Sequence, residues 1–335
     1  MFTSINSLYE YYIYITVDFN LFQKLGRSAT DAYEFTNLPY RTMSNILFIW
    51  ALIFLFILQP DVAHEGAVSG AQLFTHALLP YLLPYIILTQ WLLKMPSRQG
   101  TSQWSRYIKA YVLGSFGGFP VGAVTVSEMK KNGEISAAES SLLVASCHAP
   151  GPMFIIGFVG NELFGSTSSG WKLLIAIHLA NIVFFVLTMS LVGSRYQQTT
   201  TPIIPIQHKT SPLLRSIKDS SSVILLVATT VIFFSSLGNV LSHSISSVIT
   251  VDMGVTKTLL LALFEMTSGV QSATEHFAED AMYPMLIAAI LSINGMSIHM
   301  QVMTIAKSAG IRILPYVIAR VWNTLLVPVL FIWIY

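Results

Sequence analysis

The sequence predicts an all-α polytopic membrane protein, folded as an inverted repeat whose halves each carry a re-entrant hairpin and a broken helix. Three observations carry that class. Charged residues make up 10% of the 335, with 18 Lys or Arg and 16 Asp or Glu, against roughly 25% in an ordinary soluble domain. Hydrophobic residues make up 53%, so a soluble domain of this size would lack the polar groups to cover its surface, and a disordered chain is excluded on the same grounds. Finally, the charges gather between long apolar stretches, four of which are interrupted by Gly, Pro or Asn. The net charge of +2 gives no basis for nucleic-acid binding. A single cysteine, Cys147, leaves no disulfide framework within the chain.

The elements follow from where charge is missing. Residues 1–41 are tyrosine-rich, carry Glu10, Asp18, Asp31 and Glu34, and lack the basic start and apolar run of a signal peptide. They are expected to form an interfacial or poorly ordered leader. Residues 42–60, 71–93, 171–193, 222–241 and 315–335 are nearly charge-free. Each is close to the ~20 residues that a helix needs to cross ~30 Å of hydrocarbon. The polar, proline-rich stretch 194–215 is expected to be a cytoplasmic linker. It separates a first transmembrane part, 42–193, from a second, 216–335.

Four further stretches are apolar but broken. Residues 110–131 contain Gly117-Gly118-Phe119-Pro120-Val121-Gly122, and 135–165 contain Cys147-His148-Ala149-Pro150-Gly151-Pro152. Glu265-Met266-Thr267-Ser268-Gly269 falls in 250–275, and Asn294-Gly295 in 281–307. Breaking a helix frees backbone groups, which a membrane tolerates only where protein or a wet cavity satisfies them. Lys131-Asn132-Gly133 reads as a helix stop, and Ser136 with Glu139 as a capping box that starts the next helix.

Charge sets the direction of the path. Lys94, Arg98, Arg106, Lys109, Lys130, Lys131, Arg195, Lys209 and Arg215 mark one side, and Asp61, Glu65, Glu275, Glu279 and Asp280 the other. Basic loops favour the cytoplasm. On that rule 71–193 and 216–335 both run helix, re-entrant hairpin, broken helix, helix, in opposite orientations, which is the pattern of many secondary transporters. The alternative is that 110–131 simply spans the membrane.

The breaks are expected to meet at the interface of the repeats and to form a substrate site from Gly118, Pro120, His148, Gly151, Glu265, Thr267, Ser268, Asn294, Ser297 and His299. Half-helix N-termini suit an anion and freed carbonyls a coupling proton or cation. The weights differ. Glu265 amid Leu259–Phe264 is costly in a membrane unless paired or wet, so function is favoured there. The glycine-rich run serves close packing equally well. His148 is a site candidate, and for His299 a structural role weighs as much as a site role. Glu128 is as readily interfacial as functional. His178 and His76 are expected to be structural, Cys147 a small packed residue, and Arg320 a side chain that snorkels from the cytoplasmic start of its helix. No phosphate loop, HExxH or GxSxG occurs. Neither an enzyme nor a metal site is expected, no cofactor is called for, and the partners expected are the lipid bilayer and a small anionic substrate.

Residues 117–136 (GGFPVGAVTVSEMKKNGEIS) and 150–160 (PGPMFIIGFVG) resemble the YlbJ (SpoVV) family of sporulation integral membrane proteins, in the "nucleoside recognition" or gate domain group. Residues 77–93, 263–273, 293–302 and 313–326 resemble it as well, so the likeness covers about 70–335. Cys147-His148 departs from the family's more usual Asn or Ser. The resemblance implies a fold like that of concentrative nucleoside transporters and the movement of dipicolinic acid across the outer forespore membrane. A nucleoside or related permease and a non-transporting scaffold of the spore envelope stand as alternatives.

Overall fold

A computed structural model describes residues 40–95, 102–192, 211–248 and 252–335. Of the expected leader all but 40–41, and of the expected linker all but 211–215, lie outside the described residues. Among the described residues the chain is helical throughout, with no strand. It divides after Pro60 into two units, the first represented by the described residues 40–60. In the first, α1 (Tyr40–Leu58) is a single apolar helix. The rings of Trp50 and Phe54 lie 6.1 Å apart along it, tilted by 39°, as i and i+4 neighbours on one face.

The second unit opens with a long helix, α2 (Pro60–Lys94). Its turns over Leu73–Leu78 are π-wound, just before Pro80. A proline removes a helical N–H and pushes its ring at the carbonyl four residues back, so the preceding turn widens. Next come α3 (Gln103–Gly117), capped by Ser102, and α4 (Val121–Lys131), which pack together as a helical hairpin broken at Gly118-Phe119-Pro120. The helix stop at Lys131 is present, with Gly133 at φ 68°. So is the capping box of Ser136 and Glu139 that starts α5 (Ala137–Ser146). After the Cys147–Gly151 break the chain rewinds as α6 (Phe154–Leu163), again π-wound, and α7 (Thr167–Val192) follows.

The later part repeats the order with other details. The helix α8 runs Pro212–Ser246, longer than the apolar 222–241 because nearly three turns precede it and more than one follows. There Asp219 meets Lys94 of α2 at 2.8 Å. The hairpin of α9 (Met253–Phe264) and α10 (Met266–Phe277) breaks at Glu265 alone. The pair α11 (Tyr283–Ile293) and α12 (Met296–Ser308) breaks at Asn294-Gly295, both with positive φ. The last helix is α13 (Leu314–Ile334).

Five helices are long and apolar enough to cross a membrane: Pro60–Lys94, Thr167–Met189, Pro212–Ser246, Tyr283–Ser308 and Leu314–Ile334. Four of these contain or closely match expected spans, and the fifth is the broken helix at 281–307. The expected span at 42–60 is the shorter apolar helix Met43–Leu58.

Candidate functional site

The four helix breaks come together in two crossings of bare backbone. In the first, a Cβ on Gly118 would lie 2.7 Å from the Gly151 nitrogen, so the tip of the α3–α4 hairpin rests directly on the break between α5 and α6. Gly118 has φ 73°, which glycine adopts freely. In the second, a Cβ on Gly295 would lie 2.9 Å from the Met266 nitrogen, so the α11–α12 break rests on the tip of α9–α10. Only glycine permits either approach.

A cavity of about 30 Å³ lies among these crossings. Phe119, Pro150, Gly151, Glu265, Met266 and Thr267 face it from three of the breaks, and Gln301 from α12. Leu78 and Leu82 of α2, with Val227 and Val231 of α8, complete an apolar wall. The space holds a water or two.

Glu265 is 1% exposed. Its Oε2 accepts from the Ser268 N–H at 2.7 Å, capping α10, and its Oε1 accepts from Ser297 Oγ at 3.4 Å. A carboxylate suits a helix N-terminus because the free N–H groups carry partial positive charge. Ser268 also shares a hydrogen bond with Ser235 of α8 at 2.7 Å. Beside Glu265, the buried Thr267 hydroxyl has no partner. Gln301 donates to Thr230 Oγ1 at 2.8 Å.

On the side of Glu65 and Glu275 the structure is more open. A polar cavity of about 200 Å³ is lined by Glu65, Asn239, Lys257, Ser268, Gln271 and Glu275, among others. A second, of about 190 Å³, includes His76 and Glu162 and shares Ser69 and Gln271 with it. Ser268 therefore links this vestibule to the Glu265 carboxylate.

The second polar cluster lies behind Phe119. Its ring sits 4.3 Å from that of His148, which in turn sits 4.9 Å from Tyr316. The Tyr316 hydroxyl is 2.9 Å from His299 Nδ1 and 3.4 Å from His148 Nε2. Arg320 belongs to this cluster: its Nη2 donates to the Ala145 carbonyl at 3.3 Å, and its guanidinium lies 5.5 Å from the Tyr316 ring centre.

Arg320 corrects the sequence reading. It does not snorkel but is 5% exposed. It sits about two turns into α13, facing the end of α5, where the last helical carbonyls lack partners within the helix. The sequence did hold a signal. Tyr316, Arg320, Asn323 and Val327 follow 4-3-4 spacing on one face of the helix, and all are buried.

The expected site residues thus divide among three neighbouring places. Gly151, Glu265 and Thr267 line the small cavity, with Gly118 and Pro120 holding Phe119 between them. Ser268 faces the vestibule, and Ser297 reaches Glu265. His148, Asn294 and His299 join Tyr316 and Arg320. Arg320, Tyr316, Gln301 and Phe119 complete the site beyond the expected set. Outside it, His178 is hydrogen-bonded to Tyr111 at 3.0 Å, and Glu128 pairs with Lys131 at 3.3 Å. Cys147 is buried.

Compared with curated proteins, the chain is similar to the sporulation integral membrane protein YlbJ of Bacillus subtilis (strain 168). The two are 25% identical over 329 residues, covering 83% of this chain and 78% of that one. This chain is a homologue of a sporulation membrane protein. The match over 83% of the chain and the motifs at 117–136 and 150–160 point to the same relatives. With five helices of spanning length and composition, the protein is a multi-pass integral membrane protein. No protein-family model matches the chain. No solved structure matches it.

Proposed function

We propose that the chain is a secondary transporter of a small anionic metabolite. Dipicolinate is its cargo, and the outer forespore membrane of a sporulating cell is its place of action. The observation that carries the proposal is a cavity lined from three of the helix breaks, with the buried Glu265 carboxylate at its edge. Such breaks are tolerated at membrane depth where they line a pathway. Similarity to a sporulation integral membrane protein supports the biological setting.

The two halves follow the same order of long helix, broken hairpin, broken helix and long helix. The two glycine crossings occupy corresponding places in that order. Both features support an inverted repeat and a fold like that of concentrative nucleoside transporters. A cavity for a water or two does not admit a ring with two carboxylates, so the halves must part before loading, as alternating access requires.

Uptake of labelled dipicolinate into vesicles containing the purified protein tests the proposal. Glu265→Gln combined with Thr267→Ala is expected to abolish uptake. Normal uptake by that variant would remove the site assignment. Uptake of nucleosides in place of dipicolinate would make the protein a nucleoside permease, and transport of neither would leave a scaffold.

A further inference from the structure

Arg320 is a guanidinium buried in the protein without a carboxylate. The ion pairs among the described residues are Lys94–Asp219, Lys109–Glu134 and Lys131–Glu128, and none includes it. Its Nε has no hydrogen-bond partner, and neither does Nδ1 of His148 beside it. Both side chains are more than nine-tenths buried. Burying a charge without an opposite charge is strongly unfavourable. A position that keeps one is poised to receive an anion.

What these groups face now shows the kind of anion. The Asn294 amide satisfies its surroundings only when its nitrogen is the end that donates to the Leu291 carbonyl, at 2.7 Å. Its oxygen then accepts from both Arg320 Nη1 at 3.2 Å and His148 Nε2 at 3.3 Å. One neutral oxygen thus sits where two donors converge, which is the geometry a carboxylate oxygen takes between a guanidinium and an imidazole. Asn294 is also the hinge of the α11–α12 break, with φ 68°. Phe119, which lines the central cavity, also packs on His148, with ring centres 4.3 Å apart.

We propose that Arg320 and His148 bind a carboxylate of the cargo, and that in the unloaded protein the Asn294 amide oxygen holds their place. The proposal rests on the transporter function above. An arriving carboxylate moves past Phe119, displaces the Asn294 oxygen and supplies the missing charge. Its arrival releases the α11–α12 hinge from His148, at the break after α5, and from Arg320, so loading is coupled to movement of that hinge against the earlier half.

The test is equilibrium binding to the purified full chain in detergent, with pyridine-2,6-dicarboxylate and its neutral dicarboxamide as probes. The wild type is expected to bind the diacid and not the diamide. Arg320→Gln should weaken the diacid by about tenfold or more, the loss expected for a charge-assisted hydrogen bond. Asn294→Asp places a permanent carboxylate against Arg320, and Asp tolerates the left-handed backbone there. It should raise the thermal midpoint of the unloaded protein and abolish diacid binding. Wild-type affinity in either variant overturns the proposal while leaving the transporter function standing. A wild type that binds neither probe ends both. A wild type that binds the two probes alike overturns the carboxylate anchor. Should Arg320→Gln fail to fold, Asn294→Asp decides the matter, because it adds a partner rather than removing one.

Discussion

The hairpin tip at Glu265 and the cluster at Arg320 both bury a charged side chain, but they satisfy it in opposite ways. Glu265 caps the helix that follows it in the chain, and a serine from the neighbouring break answers its other oxygen. Arg320 finds a carbonyl and an amide oxygen on helices far from it in sequence, and one of its nitrogens goes without a partner. In the first, both carboxylate oxygens are answered, although the neighbouring Thr267 hydroxyl is not. The second leaves the guanidinium Nε without a partner, which is the observation behind the proposed carboxylate anchor.

That contrast can be broken by experiment. The largest effects should come from the glycine crossings on which both clusters depend. Gly118→Ala and Gly295→Ala each force a methyl against backbone at positive φ, and each should cost roughly 2–5 kcal/mol of unfolding free energy, measured in mixed micelles. Next, Glu265→Ala should lose about 1–2 kcal/mol through the lost cap and the stranded Ser268 N–H. Arg320→Met should be neutral or raise stability by roughly 1 kcal/mol or more, because an apolar side chain replaces an unanswered charge. Equal losses in these two variants would erase the distinction between the regions. The smallest effect sharpens the scale: Ser136→Ala, at a cap outside both clusters, should cost about 1 kcal/mol. A loss at Glu265 no greater than this would reduce its carboxylate to an ordinary cap.

The same contrast explains how much could be read from the sequence. All four breaks were legible, because glycine, proline and Asn-Gly act on the chain where they stand. The Ser136–Glu139 capping box was legible for the same reason, and Glu265 stood out as a carboxylate within an apolar run. Arg320 was misplaced because its position near a helix start describes its neighbours in sequence, whereas its acceptor lies 175 residues away on α5. Asn294 was picked out as a break, but its meeting with His148 and Arg320 depends on how two distant helix pairs cross. The π-wound turns at 73–78 and 154–163 were also unforeseen. Pro80 offered a cue for the first, and no comparable proline lies just beyond the second.

The vestibule lined by Glu65, Lys257 and Glu275 ends at Ser268, whose N–H is bonded to Glu265. A polar cavity of about 200 Å³ admits water, and water brings the electrical potential of the adjoining solution inward with it. On the transport function proposed above, the voltage across the membrane would fall mostly over the packed layer beyond Glu265, which holds Phe119, His148 and Arg320. A charge crossing that short layer feels nearly the whole drop, worth about 2.3 kcal/mol per elementary charge at 100 mV. Under the proposed function, the membrane field would thereby be concentrated where a doubly charged cargo has to move.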